Sequence, residues 1–586
     1  MLLPRLSHQI ITKSTRQFLP AINKSTAFGS NNIRSMTTAF KLKDISSLSD
    51  LKNGEKKEVE VEGLEKVKIL LARHDNTTHA LSPKCTHYGA PLAKGVLTAS
   101  GRLTCPWHGA CFNVKTGDIE DAPALDPLRK YTVEEKDGAV WVTGTSEAQL
   151  KENWKNLSIK CKSTEKKEKV VIVGGGSGAV GAIEGLRGGG FTGEIVCVLG
   201  DEGHLPIDRT KLSKGLVNDA KKVEWRSEEF YKEGGVELVR GLATGVDVQA
   251  KKVSTDSGKD IEYTKLILAT GGIPRMLPLE GLKGDLGNVF PLRSVSDVQA
   301  ILKAAGEDGG KKVVVIGSSF IGMEVGNALA GKKHNVSIIG MESEPMERVM
   351  GTQVGAVFRK LLEKTGVKFH MSASVEKGTG KDGKISSVSL KDGTSLPADL
   401  VIEGVGVRPA TDFLKDNSAF SLEKDGSLSV DESFAVKGQK DIFAIGDIAT
   451  YPYHGPGGNG KPVRIEHWNV AQNAGRSVAG TINDPSSKPK PFIPVFWSAV
   501  GAQLRYCGHT PEGFDDVIVQ GTTDVSEGKQ SFVAYYTRGE DVIAVASMMK
   551  DPYMVQSAEL MRTGRMPGKS EINKGVDVMQ VSLVEA

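Results

Sequence analysis

The stretch that decides the fold is residues 169–187, KVVIVGGGSGAVGAIEGLR, in which a short apolar run leads into a glycine cluster and a helix-forming segment. This order is typical of the first strand, turn and helix of a dinucleotide-binding α/β domain. In such a turn, Gly174 allows the tight bend, Gly176 lets a pyrophosphate approach the backbone, and Ala179 packs the helix on the strand. The stretch therefore predicts a nucleotide-binding domain, the alternative being an ordinary turn.

Three further stretches complete this first nucleotide site. EIVCVLGDE (194–202) is a second strand that ends at Glu202, which we expect to bind a ribose hydroxyl. LILATGGIP (266–274) contributes Ala269, Thr270 and Gly271, and DIFAIGDIAT (441–450) contributes Asp447, whose carboxylate can accept hydrogen bonds from ribityl hydroxyls. The last two flank a second nucleotide unit, and this split arrangement indicates an FAD domain that the chain leaves and re-enters.

The second unit is KKVVVIGSSFIGMEVGNAL (311–329), with Gly317 and Gly322 at the fingerprint positions. After its next strand, VSII, the position expected for a ribose-binding acid is Gly340, and the nearest acidic residue is Glu342. A glycine can neither hold a ribose hydroxyl nor repel a 2′-phosphate. We expect an NAD(P)H site here, and NADH is favoured over NADPH without being decided.

Residues 85–112, CTHYGAPLAKGVLTASGRLTCPWHGACF, carry the metal-binding pattern of the chain. Zinc fingers commonly group two cysteines and then two histidines, whereas here each of two loops offers one of each. A Rieske [2Fe–2S] cluster needs two thiolates on one iron and two imidazoles on the other. The predicted ligands are Cys85, His87, Cys105 and His108; zinc is the weaker alternative.

Periodicity and turn residues divide the 586-residue chain into several domains, which is the expected outcome for this length. The fold class we predict is multidomain: a small all-β Rieske domain, two doubly wound α/β domains for FAD and NAD, and a C-terminal α+β domain. The predicted bounds are a transit peptide at 1–40, the Rieske domain at 41–145, a linker at 146–168, the FAD domain at 169–290 and 425–488, the NAD(P)H domain at 291–424, and a reductase- or dimerisation-like domain at 489–586.

Charge is unevenly distributed along the chain. Residues 1–43 hold seven of the 75 Lys and Arg residues and no acidic residue, so the remainder carries 68 basic against 71 acidic residues. An acid-free, Ser/Thr-rich start predicts mitochondrial import, and Met36 offers a second start for a cytosolic form. The near-neutral body predicts no nucleic-acid partner, and we expect no transmembrane segment because no long apolar run occurs.

Taken together, the stretches resemble the Rieske-bearing, apoptosis-inducing-factor-like mitochondrial flavoproteins, within the ferredoxin-reductase-like FAD/NAD(P)H oxidoreductases. HLPIDRTKLSKGL (204–216), SSFIGMEVGNAL (318–329) and RYCGHTPEGFDDVIVQG (505–521) carry this resemblance beside the motifs above. The resemblance implies that Arg209 and Lys214 lie along the FAD, that Glu324 pairs with Lys214 on the nicotinamide side, and that Trp497 lies beside the flavin. It also places residues 466–468 near the flavin.

The resemblance also implies the reaction. Electrons from NAD(P)H are expected to pass through FAD to the cluster and on to a one-electron acceptor, a protein or a quinone-like molecule that the sequence does not identify. The linker is expected to let the cluster domain swing. The chain lacks the C-x4-C pair of disulfide reductases, so a dithiol is not the exit. Alternatives are a slow cell-death or redox-signalling protein and a diaphorase that reduces acceptors directly from FAD. Monomer and homodimer remain open.

The predicted cluster loops also bear on the potential of the cluster. The respiratory Rieske type carries an extra cysteine on each loop and hydroxyl donors, and the matching positions here are Ala90, Trp107, Ala110 and Phe112. Since hydrogen bonds to the sulfurs raise the potential, we expect a value near the low end of the range, on the order of −150 mV.

Overall fold

The computed structural model describes residues 39–152, 154–161, 165–489 and 492–584. The predicted transit peptide and Met36 lie outside the described residues, except for the last two positions of the 1–40 segment. Across the described ranges, no helix has the length and apolar content needed to cross a membrane.

The N-terminal domain is all β, and it consists of two antiparallel sheets. The larger has the strand order β1-β10-β9-β4-β3-β2 and the smaller β5-β6-β7-β8. The smaller sheet carries the cluster loops, because one loop precedes β5 and the other connects β6 to β7. The strands are β1 Phe40–Lys41, β2 Lys56–Glu60, β3 Lys68–His74, β4 Thr77–Leu81, β5 Val96–Leu97, β6 Arg102–Thr104, β7 Cys111–Asn113, β8 Ile119–Asp121, β9 Lys130–Lys136 and β10 Ala139–Thr143.

The predicted linker is partly ordered against the rest of the protein. It begins with α1, Glu147–Lys151, and it ends in β11, Glu165–Val173, four residues earlier than predicted. Between them Ile159 is buried in the core of the next domain beside Tyr231. The described part of the connector is therefore packed on its neighbour, a feature that its polar composition did not reveal.

The FAD domain is built on a parallel sheet of order β13-β12-β11-β17-β29, so strands from both predicted segments share it. Alternating strands and helices place the strand ends, where ligands bind in such sheets, on one edge. The elements of the first segment are α2 Ser177–Gly188, β12 Gly193–Val198, α3 Thr210–Gly215, α4 Glu228–Glu233, β13 Val236–Val239, β14 Ala243–Asp247, β15 Lys252–Thr255, β16 Asp260–Glu262, β17 Lys265–Leu268 and β18 Gly272–Pro274.

The NAD(P)H domain repeats the plan with a parallel sheet of order β19-β26-β20-β21-β22 and a small antiparallel sheet, β23-β24-β25. Its elements are β19 Val289–Pro291, α5 Val295–Ala305, β20 Lys312–Ile316, α6 Phe320–Gly331, β21 Asn335–Ile339, α7 Glu347–Glu363, β22 Lys368–His370, β23 Val375–Lys381, β24 Lys384–Leu390, β25 Ser395–Pro397 and β26 Leu400–Glu403.

The chain returns to the FAD domain earlier than the predicted boundary at residues 424 and 425. β27 pairs with β18, and Leu414 and Phe420 are buried in the FAD-domain core. No sequence pattern marks this return, because the segment after β27 lacks strand periodicity. The returning elements are β27 Val407–Pro409, β28 Leu428–Ser429, β29 Ile442–Ala444, β30 Ala449–Tyr453, β31 Lys461–Val463 and α8 Trp468–Asn483.

The C-terminal domain is α+β, as predicted, with an antiparallel sheet of order β32-β33-β36-β35-β34. Its core includes Val96 of the cluster domain, so the two domains share one apolar cluster. The elements are β32 Val495–Val500, β33 Ala502–Gly508, β34 Asp516–Thr522, β35 Ser531–Arg538, β36 Asp541–Met548, α9 Tyr553–Arg562 and α10 Lys569–Asn573.

Candidate functional site: a cluster site against a nucleotide cleft

The two cluster loops have the same backbone structure. The N–H of Cys85 donates a hydrogen bond to the carbonyl of Ala90, and the N–H of Gly89 donates one to the carbonyl of Cys85. The second loop repeats both bonds between Cys105 and residues 110 and 109. A glycine with positive φ closes each loop, 78° at Gly89 and 71° at Gly109, a conformation that favours glycine. The loops thus present their Cys and His side chains as a matched pair.

The sulfur atoms of the two loops lie together in the interior. Cys85 and Cys105 are buried and hydrogen-bonded to each other. That hydrogen bond, with burial, raises the pKa of Cys85 well above its ordinary value. Burial also acts to raise the pKa of Cys105, but hydrogen bonds from Cys85 and from the backbone of Trp107 and His108 bring it below the ordinary value. Backbone N–H groups directed at the sulfurs suit thiolate ligands.

The two imidazoles form a second pair. Nδ1 of His87 lies 3.0 Å from Nδ1 of His108. Burial lowers the pKa of His87 to about 4 and that of His108 well below its ordinary value, so both rings are neutral at physiological pH, as metal ligation requires.

Donors that occur as one sulfur pair and one nitrogen pair match two irons with two protein ligands each. In the described residues, no three Cys, His, Asp or Glu side chains converge as a site for a single ion. A tetrahedral zinc site would gather all four donors around one point. The donor set therefore fits the [2Fe–2S] cluster.

A cleft of about 910 Å³ opens at the strand ends of the FAD domain. The structure brings to it most of the predicted FAD-binding residues, which come from both segments of the domain. Those that line it are Gly174, Gly176, Glu202, Arg209, Ala269, Thr270, Gly271, Asp447 and residues 466–468. Three predicted FAD-binding residues are not among those that line it: Ala179, Lys214 and Trp497. Ala179 is buried in α2, the packing position expected of it.

The glycine turn of this cleft fits a dinucleotide. A Cβ on Gly174 would lie 2.2 Å from the carbonyl oxygen of Ala269, and its φ is 118°, so only glycine suits the position. A Cβ on Gly176 would meet nothing within 4 Å, which leaves the backbone open for a phosphate at the start of α2. Trp468 adds a buried Nε1–H that has no partner among the described residues. The cleft therefore fits FAD.

Charged side chains of the cleft are held in place by named partners. Glu202 accepts hydrogen bonds from the backbone and hydroxyl of Ser296. Burial acts to raise its pKa, but these bonds lower it below its ordinary value and keep the carboxylate ionised. Asp447 accepts from Arg293 Nη2 at 2.7 Å. Burial and the charge of Arg293 lower the pKa of Arg209 to about 10, which leaves a cation beside the cleft.

Lys214 and Glu324, predicted to pair across the two nucleotide domains, lie 3.0 Å apart. Glu324 is only 4% exposed, and its other contacts are the hydroxyls of Ser213 and Ser498, which donate to its two oxygens at 2.5 and 2.6 Å. A carboxylate so buried is satisfied by one cation and two hydroxyls. The group joins α3, α6 and β32.

Trp497 lies between the cluster histidines and the FAD cleft. Its ring centroid is 4.4 Å from that of His108, 5.6 Å from that of His87, and 5.2 Å from that of His467, which lines the cleft. Burial, reinforced by the charge of Lys214, lowers the pKa of His467 to about 3, so this ring is neutral. A continuous run of aromatic rings therefore joins the two sites.

The second glycine turn is built like the first. A Cβ on Gly317 would lie 2.3 Å from the carbonyl oxygen of Gly404, and one on Gly322 would lie 2.1 Å from that of Gly317. This close packing at the start of α6 fits a second dinucleotide. Glu342 is near, but its carboxylate accepts from Arg348 Nε at 2.7 Å. At Gly340 an added Cβ would lie 2.5 Å from the Ser318 hydroxyl.

Sequence reasoning missed three residues of the site. Arg293 reaches Asp447 from the NAD(P)H domain, and no pattern around it signals this contact. Tyr88 lies in a quoted motif, but its partner Asp208 is 120 positions away. No disulfide bond joins cysteines within the part of the chain that the structure describes.

Comparisons with known proteins agree with this arrangement. The Rieske [2Fe-2S] domain family matches residues 41–132, and the pyridine nucleotide-disulphide oxidoreductase family matches residues 168–475. The chain is 39% identical over 535 residues to Apoptosis-inducing factor 3 of Homo sapiens, which covers 90% of this chain and 85% of that protein. It is 30% identical over 411 residues to Putidaredoxin reductase CamA of Pseudomonas putida, 68% of this chain and 93% of that protein.

Two solved structures share the reductase portion of the fold. The ferredoxin reductase for the CYP199A2 system from Rhodopseudomonas palustris is 26% identical, with a TM-score of 0.65, over 71% of this chain and 100% of that one. The reductase in the covalent putidaredoxin reductase–putidaredoxin complex is also 26% identical, with a TM-score of 0.63, over 72% of this chain and 100% of that one. The predicted multidomain fold is confirmed.

Proposed function

The chain belongs to the pyridine nucleotide-disulphide oxidoreductase family and carries a Rieske domain, and on that premise we propose that it passes electrons from NAD(P)H through FAD to its own cluster and on to a one-electron acceptor. It is an oxidoreductase whose cofactors are FAD, a Rieske [2Fe–2S] cluster and NAD(P)H. FAD, when bound, can accept two electrons together as a hydride and release them one at a time, which suits a one-electron acceptor such as an iron–sulfur centre.

The observation that carries the proposal is the packing of Trp497 against His108 on one side and His467 on the other. His108 is a proposed cluster ligand, and His467 lines the cleft that fits FAD. The Trp497 side chain is only 7% exposed, so the indole ring is shielded from solvent. Burial lowers the pKa of both neighbouring imidazoles, so neither ring adds a charge between the sites.

Lys214 and Glu324 are the proposed catalytic pair on the nicotinamide side. Lys214 places a positive charge at the junction of the two nucleotide domains, where negative charge appears on reduction. Glu324 and its two serine donors fix the position of the ammonium group. Gly317, Gly322 and Glu342 are proposed to bind NAD(P)H, with NADH preferred, and the remaining cleft residues are proposed to bind FAD.

The external acceptor is proposed to be a protein or a quinone-like molecule, and the place of action is proposed to be the mitochondrion. One solved structure is a covalent complex of putidaredoxin reductase with the separate protein putidaredoxin, whereas here the Rieske domain is part of the same chain. A low cluster potential, on the order of −150 mV, remains our expectation because the cluster loops offer no side-chain hydroxyl at the matching positions.

A second candidate function is a slow redox-signalling or cell-death protein, and the 39% identity to Apoptosis-inducing factor 3 favours it. That function predicts slow NADH turnover and a long-lived reduced state of the protein. The fused-reductase function predicts rapid delivery of electrons to an added one-electron acceptor.

Substitution Cys85→Ser tests the proposal. We expect the variant to lose the cluster and the NADH-dependent reduction of cytochrome c, while NADH still bleaches the flavin absorbance. Cys161→Ser, a change at a half-buried cysteine of the connector, is the matched control and should leave both activities as they are. Unchanged cytochrome c reduction in Cys85→Ser would show that the acceptor draws electrons directly from FAD.

A further inference from the structure

Tyr88 contacts both the cluster site and the FAD domain. Its ring stacks on His87, with centroids 3.8 Å apart and planes within 17°. Its hydroxyl donates a hydrogen bond to Oδ2 of Asp208, and the ammonium group of Lys211 lies 5.6 Å from the ring centroid. Tyr88 is 41% exposed, so these directed contacts, not burial in a core, define its place.

Asp208 is held rigidly on the FAD-domain side. It is 2% exposed, and its Oδ1 accepts from the backbone and hydroxyl of Thr210 at 3.2 and 2.6 Å. Lys211 lies 3.7 Å from Oδ2. Arg209, which follows Asp208 in the chain, lines the FAD cleft. A contact at Asp208 is therefore fixed relative to that cleft.

A second contact between the same domains lies nearby. Arg226 of the FAD domain donates to Asp126 of the cluster domain at 2.9 Å and to the carbonyl of Leu125. It also pairs with the fully buried Glu184 at 3.0 Å. The cluster domain is thus attached to the FAD domain at more than one point. Tyr88 is an attachment that also stacks on a proposed cluster ligand, His87, and the ring of Trp225 lies 6.1 Å from the same imidazole.

We infer that Tyr88 is a positioning residue that ties His87 to the FAD domain through Asp208, so that the cluster receives electrons in the docked arrangement without a swing of its domain. The inference rests on the proposed function, in which His87 is a cluster ligand and FAD is the donor. It replaces the expectation that the connector lets the cluster domain move between FAD and an outside acceptor. Instead, the hydrogen bond from Tyr88 to Asp208 keeps the ring of His87 facing Trp497 and the cleft.

The test uses the full-length holoprotein and the variants Tyr88→Phe and Asp208→Asn. Phenylalanine keeps the stack on His87 and removes only the hydroxyl, and asparagine keeps an acceptor for Thr210. Stopped-flow absorbance after mixing with NADH gives the rate of flavin bleaching and the subsequent rate of cluster bleaching. Hydrogen exchange of residues 85–91, followed without nucleotide, reports how often the loop opens.

For Tyr88→Phe we expect an unchanged rate of flavin bleaching, an approximately tenfold slower rate of cluster bleaching and an approximately tenfold faster exchange of residues 85–91. Because both substitutions act on the Tyr88–Asp208 hydrogen bond, the double variant should show no greater change in either rate than Asp208→Asn alone. Tyr131→Phe is the control, since Tyr131 belongs to the same domain and its hydroxyl donates to the carbonyl of Gln149 in α1 of the connector rather than to Asp208.

Two results would overturn the inference: exchange and cluster bleaching in Tyr88→Phe that equal those of the unmodified protein, or equal changes in Tyr131→Phe. The exchange measurement requires no electron transfer. If NADH fails to reduce the cluster even in the unmodified protein, the proposed function falls, and loop exchange alone decides whether Tyr88 positions the loop.

Discussion

Replacing Arg102 by Met should loosen the cluster domain from the C-terminal domain. The guanidinium group is 11% exposed and pairs with Glu120 at 2.9 Å, with Asp121, and with Glu559 at 3.3 Å. Glu559 lies on α9 and is only 4% exposed. Methionine fills a similar length and removes the one cation shared by three carboxylates.

The magnitude follows from what the substitution leaves behind. Removing one partner of a buried ion pair costs about 3–5 kcal/mol, because the other charge remains buried without compensation. Glu559 retains a contact with Arg562 at 2.6 Å, so the loss should lie at the lower end, about 3 kcal/mol. Since about 1.4 kcal/mol corresponds to a factor of ten, local opening should become roughly one hundredfold more frequent.

Hydrogen exchange measured peptide by peptide on the holoprotein checks this value in β6 and α9. The control is Lys41→Met, which removes an exposed pair with Glu62, where 45% and 53% of the two side chains are exposed. Pairs of that kind contribute at most about 1 kcal/mol. Exchange in β6 and α9 that stays at the level of the control would refute the claim that Arg102 fastens the two domains.

Substitutions at three other sites test the electron path, the choice of coenzyme and the protonation of a buried carboxyl group. Trp497→Leu should retain the cluster spectrum but slow cluster reduction by NADH at least tenfold. The free energy of unfolding, measured by thermal unfolding, should fall by about 2–3 kcal/mol because the indole is buried. An unchanged rate of cluster reduction would exclude the indole from the electron-transfer path. Gly340→Glu alone should weaken NADH binding, since its Cβ would lie 2.5 Å from the Ser318 hydroxyl and 2.6 Å from Cε of Met371, the end of a flexible side chain. In the double variant with Ser318→Gly only Met371 has to move, and the ratio of kcat/KM for NADH over NADPH should rise about tenfold. A constant ratio would place coenzyme selection elsewhere. Burial raises the pKa of Glu403 from 4.5 to about 7. Between pH 4.5 and pH 7 the folded state therefore retains a proton that the unfolded chain has lost. Because of this difference, the free energy of unfolding should fall by at most about 3 kcal/mol as the pH rises through that range. Urea unfolding of Glu403→Gln, measured at each pH, should not show that decrease in the free energy of unfolding between pH 4.5 and pH 7. The same decrease in the variant and the unmodified protein would contradict the raised pKa of Glu403.

Features encoded by neighbouring residues were predictable from the sequence. The two glycine turns, the two Cys/His loops and the alternating strands each rest on short-range rules, and the structure brings Cys85, His87, Cys105 and His108 together as two donor pairs. The pairing of Lys214 with Glu324 came from the family resemblance rather than from spacing, and the structure places the two groups 3.0 Å apart.

Features that depend on packing between domains were not predictable. Arg102 and Glu559 are 457 positions apart, and each alone resembles an ordinary surface charge. The same is true of the Tyr88 contact with Asp208. The domain boundary near residue 424 was misplaced for a related reason, since Leu414 and Phe420 show their membership of the FAD-domain core only by what they contact.

The central claim, electron flow from NADH through FAD to the cluster within one chain, is tested most directly by rapid anaerobic mixing of the purified holoprotein with NADH. Absorbance and electron paramagnetic resonance would be followed together. The account predicts that flavin bleaching comes first, and that the rhombic signal of a reduced Rieske cluster then grows at a rate independent of protein concentration. A flavin that bleaches while that signal never develops would contradict it.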